Sequence, residues 1–142
     1  MRTVRQMLDG KPAQVYAVAP DDSVIDAVRM MAERGVGAVL VMQGVDLVGI
    51  VSERDYARKV VLQSRSSADT AVREIMTPEV ITVGPSSSVS RCMQMVTEHR
   101  IRHLPVVDEG VVVGVVSIGD LVKAVIEDQQ AELEQLQRYI NG

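Results

Sequence analysis

The sequence predicts an α/β (α+β) fold: two β-α-β-β-α units packed with pseudo-twofold symmetry, followed by a C-terminal helical extension. Three observations carry this. First, the 47 positions from Val15 to Val61 align without a gap on Val80 to Ile126 at an offset of 65, and fourteen are identical, among them Pro20/Pro85, Ser23/Ser88, Gly49/Gly114, Ser52/Ser117 and Asp55/Asp120. Second, each copy holds one stretch of apolar residues at helical spacing, flanked by short valine-rich runs. Third, the chain is 46% hydrophobic but has no Phe and no Trp, so valine and the eight methionines must build the core. Valine favours strands and methionine fills irregular gaps. One unit of about 50 residues buries too little surface alone, so the two copies are expected to pack sheet against sheet.

The elements follow in order. A short apolar strand (15–18, and 80–83 in the second copy) ends near a proline, which cannot donate to a ladder. Ser23 or Ser88 then caps a helix, and Asp26 three residues after Ser23 predicts a capping box. Val24, Ala27, Val28 and Met31 fall on one face of the first helix; Val89, Cys92, Met93 and Val96 do so in the second. Gly35 is the expected stop of the first helix. Strands at 38–42 and 47–51, and at 103–107 and 111–116, are joined through Gly44 and through Asp108-Glu109-Gly110, and read as hairpins. A second helix starts at Ser52 and at Ser117.

The expected organisation is a first unit over 1–62, a polar linker over 63–73, a second unit over 74–128 and a helical tail over 129–142. Within this, 63–70 is Ser-rich, and 70–76 reads as a short helix leading into the second copy. From Asp120 onward Val122, Ile126, Leu133, Leu136 and Ile140 trace a stripe spaced three or four apart. Either the stripe packs on its own domain or it forms a homodimer interface; spacing alone does not choose.

Composition removes several functions. A net charge of −4 and the lack of a Phe/Trp stacking platform argue against nucleic acid. The lone cysteine, Cys92, gives no disulfide framework and sits on the apolar face of a helix. No apolar run approaches the roughly 18 residues of a membrane span, and the first residues have no apolar signal core; a cytoplasmic protein is expected. His99 and His103 lack a third metal ligand, and no phosphate loop or nucleophile triad can be placed, so catalysis is not expected.

One motif remains, glycine, two apolar residues, serine, two variable residues and aspartate: Gly49-Ile50-Val51-Ser52-Glu53-Arg54-Asp55 and Gly114-Val115-Val116-Ser117-Ile118-Gly119-Asp120. A strand ends and a helix begins at the serine. Unpaired backbone N–H groups there suit an anion, and the carboxylate can accept from two neighbouring hydroxyls, such as a ribose diol. The same serine and aspartate also form a helix cap, which needs no ligand.

With His99-Arg100-Ile101-Arg102-His103-Leu104-Pro105-Val106-Val107 before the second hairpin, the doubled motif resembles a tandem pair of cystathionine-β-synthase (CBS) domains, over about residues 4–128. The resemblance implies a regulatory, non-catalytic module binding an adenine nucleotide, AMP or ATP by default and NAD as a further candidate, in the cleft between the repeats. It implies one site joining Ser117 and Asp120 to Ala17, Val36, Gly37 and Ala38, with Lys11 near a phosphate. It implies a second joining Ser52 and Asp55 to Thr77, Thr82, Ile101, Arg102 and His103. Arg102 and His103 occupy positions that resemble phosphate contacts. Arg54 either reaches a phosphate or lies on the exposed helix face, and Gly119 replaces it in the other copy. Output would pass through a homodimer and an effector protein yet to be identified. The competing expectation is a ligand-independent dimerisation or docking module.

Overall fold

The computed structural model describes residues 2–10 and 15–141. Two compact units emerge. One, Gln14–Ile81, carries Asp55; the other joins Met1–Ala13 to Thr82–Gly142 and carries Asp120. The cut does not follow the sequence repeats, because the short segment preceding each repeat packs with the other one.

In the Asp55 unit, β1 (Ala17–Val18) runs parallel to β2 (Ala38–Gln43), which pairs antiparallel with β3 (Asp46–Ser52). Helix α2 (Val24–Arg34) connects β1 to β2 and ends at Gly35 in the left-handed conformation, as expected. Val24, Ala27 and Met31 of α2 pack with Val39, Val41 and Val51 of the sheet, together with Val60, Val72 and Ile75. After β3 comes α3 (Glu53–Tyr56), which continues as a π-helical turn, Ala57–Val61.

The Asp120 unit repeats this plan with α4 (Val89–His99), the hairpin β4 (His103–Asp108) and β5 (Val111–Ser117), and α5 (Ile118–Asn141). The two hairpins bulge at equivalent places, Val41/Met42 and Val106/Val107. The strand expected at 80–83 is reduced to one parallel bridge, Val83 to Val106. The reason is chemical. In the Asp55 unit the Leu40 N–H donates to the Tyr16 carbonyl at 3.0 Å. The equivalent residue is Pro105, which has no N–H to give, so the ladder loses a rung.

The capping box expected at Ser23 does not form: Ser23 is the N-cap of α2, but its side chain makes no cap bond. The first-turn amides find their acceptors elsewhere in the chain. Val24 N–H donates to Thr70 O at 2.8 Å and Ile25 N–H to Ser67 O at 3.0 Å. The polar stretch 63–70 is therefore bonded to the Asp55 unit along its length, and Thr70 is buried with its hydroxyl donating to Ser66 O. The helix expected at 70–76 is a 3-10 turn, Val72–Glu74.

That turn has a counterpart. Helix α1 (Val4–Asp9) and the Val72–Glu74 turn share the pattern Val-Arg-Gln/Glu, at an offset of 68. Val4 N–H donates to Ser87 O and Arg5 N–H to Pro85 O; Val72 N–H donates to Asp22 O and Arg73 N–H to Pro20 O. The same two backbone bonds thus fasten α1 to the second repeat and the 3-10 turn to the first.

The tail stripe is exposed: Ile126, Leu133, Leu136 and Ile140 of α5 keep 49–71% of their surface, and Val122 keeps 43%. Packing of the stripe on its own domain is thus not what the described residues show. No helix among them is long and apolar enough to cross a membrane.

Candidate functional site

Each Ser-x-x-Asp motif sits where an edge of a hairpin turns into a helix. In the Asp55 unit, β3 ends at Ser52, directly opposite Ala38 at the start of β2. The next amide, Glu53 N–H, donates to Gly37 O at 3.0 Å. The Ser52 backbone N–H donates to Asp55 Oδ2 at 2.9 Å and its hydroxyl to the same oxygen at 3.0 Å; the Asp55 N–H donates to Ser52 Oγ at 3.1 Å. This is a complete capping box, with the Asp55 side chain largely buried.

The Asp120 unit reproduces it. Ser117 lies opposite His103, and Ile118 N–H donates to Arg102 O at 2.9 Å. Ser117 N–H donates to Asp120 Oδ2 at 2.9 Å, and Asp120 N–H to Ser117 Oγ at 3.1 Å. The carboxylates are fixed in matching orientations by their own backbone, which is the pre-organisation a diol acceptor needs.

The remaining candidates fall into place around these two frames. Ala17 pairs with Leu40 in the sheet of the Asp55 unit, and Val36, half-buried, donates its N–H to Met31 O at the end of α2. Thr77 is exposed and exchanges backbone hydrogen bonds with Ile50, at 2.9 and 3.1 Å. Arg54 is exposed on α3. In the Asp120 unit Thr82 and Arg102 are exposed, while Ile101 and His103 are half-buried. Lys11 lies outside the described residues. Inside its own unit, then, each motif has small residues (Gly37, Ala38) or Arg102 and His103 as backbone neighbours.

One feature escaped the sequence reading. The Asp120 unit contains a cavity of about 390 Å³ between α1, β5 and the start of α5, within the usual range of small-molecule pockets, about 300–1,000 Å³. Met7, Leu8, Val116 and Ala124 give it apolar walls. Asp120, Arg2, Lys123 and Glu127 give it charge. Arg2 donates to Glu127 at 2.6 Å and to Asp128 at 3.1 Å, and the hydrogen bond it donates to Glu127 raises its pKa. The signal for these residues was the second Val-Arg pattern at Val4-Arg5, which marks the N-terminal segment as part of the repeat.

The other reactive groups have structural explanations. Cys92 is buried, and burial raises its thiol pKa, so it is a poor nucleophile. Among the described residues no group of three His, Cys, Asp or Glu side chains could hold a metal ion.

Comparison with known proteins agrees with the doubled motif. The sequence model of the CBS domain matches residues 11–62 and 72–127. The chain belongs to the CBS domain family. It is 47% identical over 127 residues to the CBS domain-containing protein CBSX3, mitochondrial, of Arabidopsis thaliana; the match covers 86% of this chain and 62% of the plant protein. A solved CBS-domain protein from Burkholderia ambifaria MC40-6 is 57% identical, with a TM-score of 0.87 over 90% of this chain and 96% of that one. A more distant structure, the CBS domain pair of protein MJ0100, is 22% identical with a TM-score of 0.80, over 90% of this chain and 98% of that one. At that identity the likeness speaks for the fold.

Proposed function

We propose that this CBS pair is a regulatory module that binds an adenine nucleotide, AMP or ATP by default with NAD as the further candidate, through the carboxylates of Asp55 and Asp120. The observation that carries the reading is the doubling of one pre-set carboxylate, with matching backbone bonds at Ser52/Asp55 and Ser117/Asp120. A cap alone needs no such likeness at two sites. The CBS pair of MJ0100 was solved in complex with 5-methylthioadenosine and S-adenosyl-L-methionine, both adenosyl compounds, which supports an adenosyl ligand here. In this reading Arg102 and Arg54 supply positive charge for phosphate, His103 supplies a hydrogen-bond donor, and Gly37 and Ala38 leave room for a flat base. The exposed stripe of α5 forms a homodimer contact. Ligand binding shifts the population of dimer geometries, and an effector protein reads the shift.

A second reading is favoured by one observation, the completeness of the Ser52 capping box: the motifs serve only as caps, and the pair is a ligand-independent interaction module. Titration calorimetry with AMP, ATP, NAD and S-adenosylmethionine separates the two, with light scattering in parallel to read the oligomer. The nucleotide reading expects Asp55→Ala and Asp120→Ala each to remove one binding event, and the double variant to bind at least about tenfold more weakly, as expected from losing charge-assisted hydrogen bonds. A double variant binding as tightly as the parent refutes it. No heat with any of the four compounds establishes the second reading.

A further inference from the structure

We propose that Lys59 sets the charge selectivity of the Asp55 site, making it prefer a phosphorylated nucleoside over the same nucleoside without its phosphate. The inference rests on the reading that Asp55 holds the ligand, and it concerns which ligand that carboxylate accepts. Lys59 lies four residues after Asp55, on the π-helical turn Ala57–Val61. Its ammonium is 3.3 Å from Asp55 Oδ1 and donates to Ile75 O at 2.9 Å. The other carboxylate oxygen, Oδ2, already accepts from the Ser52 amide and hydroxyl. The lysine therefore sits on the oxygen that the cap leaves over. It also ties the motif to the segment that carries Thr77, two residues beyond Ile75.

The fold does not require this cation. At the equivalent position of the other unit stands Ala124, a buried residue that lines the cavity beside α1. There the helix runs on as regular α-helix, whereas after Asp55 it widens into a turn closed by the Leu62 N–H on Ala57 O. Such π-helical turns occur frequently at functional sites.

The electrostatic consequence has a definite sign. A carboxylate that grips a ribose diol also repels the phosphate on the same ribose. An ammonium at 3.3 Å turns that lone charge into a close pair, whose field falls off far faster with distance. The same ammonium competes with the ribose diol for Oδ1 equally in both ligands, so the preference comes from the first effect alone, which favours the phosphorylated ligand. The charged residues beside Lys59 on this helix are Glu53, Arg54 and Arg58, all exposed. The two arginines outnumber the glutamate and push in the same direction, and Arg54 has only Gly119 as its counterpart.

Calorimetry on Asp120→Ala, which leaves the Asp55 motif as the intact one, tests this with AMP and adenosine as probes. Adding Lys59→Met, which keeps the aliphatic stem, should cut the preference for AMP over adenosine about fivefold, the size of one charge interaction partly screened by water. Lys59→Arg should retain the preference. Lys59→Gln makes the same neutralisation, and thermal melts identify which neutral variant is folded. A preference unchanged in the folded neutral variant overturns the proposal, as does an equal loss of affinity for both probes. If the Asp120→Ala chain takes up neither AMP nor adenosine while the parent also takes up neither, the nucleotide reading itself falls, and this inference with it.

Discussion

In the Asp55 unit, the sheet face beneath β3 is covered by the segment that follows the polar stretch, with the Met76 side chain lying over Gly49. In the Asp120 unit the same face is covered by helix α1, with Leu8 lying over Gly114. The two glycines are equivalent positions 65 residues apart, and each is kept bare by a different side chain. A Cβ on Gly49 would stand 2.5 Å from Met76 Sδ and 3.2 Å from Met76 Cβ, whereas on Gly114 it would stand 2.9 Å from Leu8 Cδ2 and no nearer than 3.4 Å to the next atom. The lesson is that a repeat in sequence need not be a repeat in self-contained pieces. The preceding segments are fastened by the same backbone bonds, each to the partner repeat's frame.

This contrast gives the largest expected effect. Gly49→Ala should destabilise the protein by about 1–3 kcal/mol, the usual cost of overpacking, because Met76 is pressed along its whole length. Gly114→Ala should cost less, since only the flexible end of Leu8 must move. Urea denaturation of both variants checks the order; equal losses would mean that the two covering segments are equally compliant.

A smaller effect comes from the helix starts. Ser88 Oγ accepts from the Arg91 N–H at 3.0 Å, while Ser23 makes no side-chain cap bond. Ser88→Ala should cost about 1 kcal/mol, and Ser23→Ala much less, read as shifts in urea midpoint at constant slope. A Ser23→Ala loss as large as that of Ser88→Ala would show that the carbonyls of Ser67 and Thr70 do not replace the missing cap.

The smallest is a pH effect. Glu74 accepts from the Ala71 N–H at 2.8 Å and from Arg65 at 2.6 Å, whereas its counterpart Gln6 accepts from the Thr3 N–H at 3.0 Å. The Ala71 amide and then Arg65 lower the Glu74 pKa below its ordinary value. A depressed carboxylate contributes stability above its unfolded pKa and loses it as pH falls through the folded value. The melting-temperature gap between parent and Glu74→Gln should therefore be open at neutral pH and close as the pH drops below about 4.5. The effect of Gln6→Ala should not change over that range, because an amide does not titrate.

Much of the fold was legible because it is local. The helices show in the spacing of Val24, Ala27 and Met31 and of Val89, Cys92 and Val96, and the hairpins in the valine-rich runs on either side of Gly44 and Gly110. The Ser-x-x-Asp motifs were legible for the same reason, since all their mutual bonds lie within three residues. Less visible was anything that depends on a distant donor. Pro105 removes the rung that would have kept 80–83 a strand, and Ser23 is left uncapped because Ser67 and Thr70, more than 40 residues away, supply the acceptors. Lys59 was invisible as a partner of Asp55 for a related reason. Its spacing suits an ion pair on any helix, but its second bond goes to the Ile75 carbonyl, which only folding brings near.

The amino-acid order by itself determined the duplication, the secondary elements and the two serine–aspartate frames, because short-range hydrogen bonding and apolar periodicity fix these within a few residues. Tertiary structure decided which segment covers which sheet, where a cavity opens beside Asp120, and that a lysine stands against Asp55. Those outcomes turn on side-chain volume and unpaired backbone groups meeting across long stretches of chain, and no local pattern encodes such meetings.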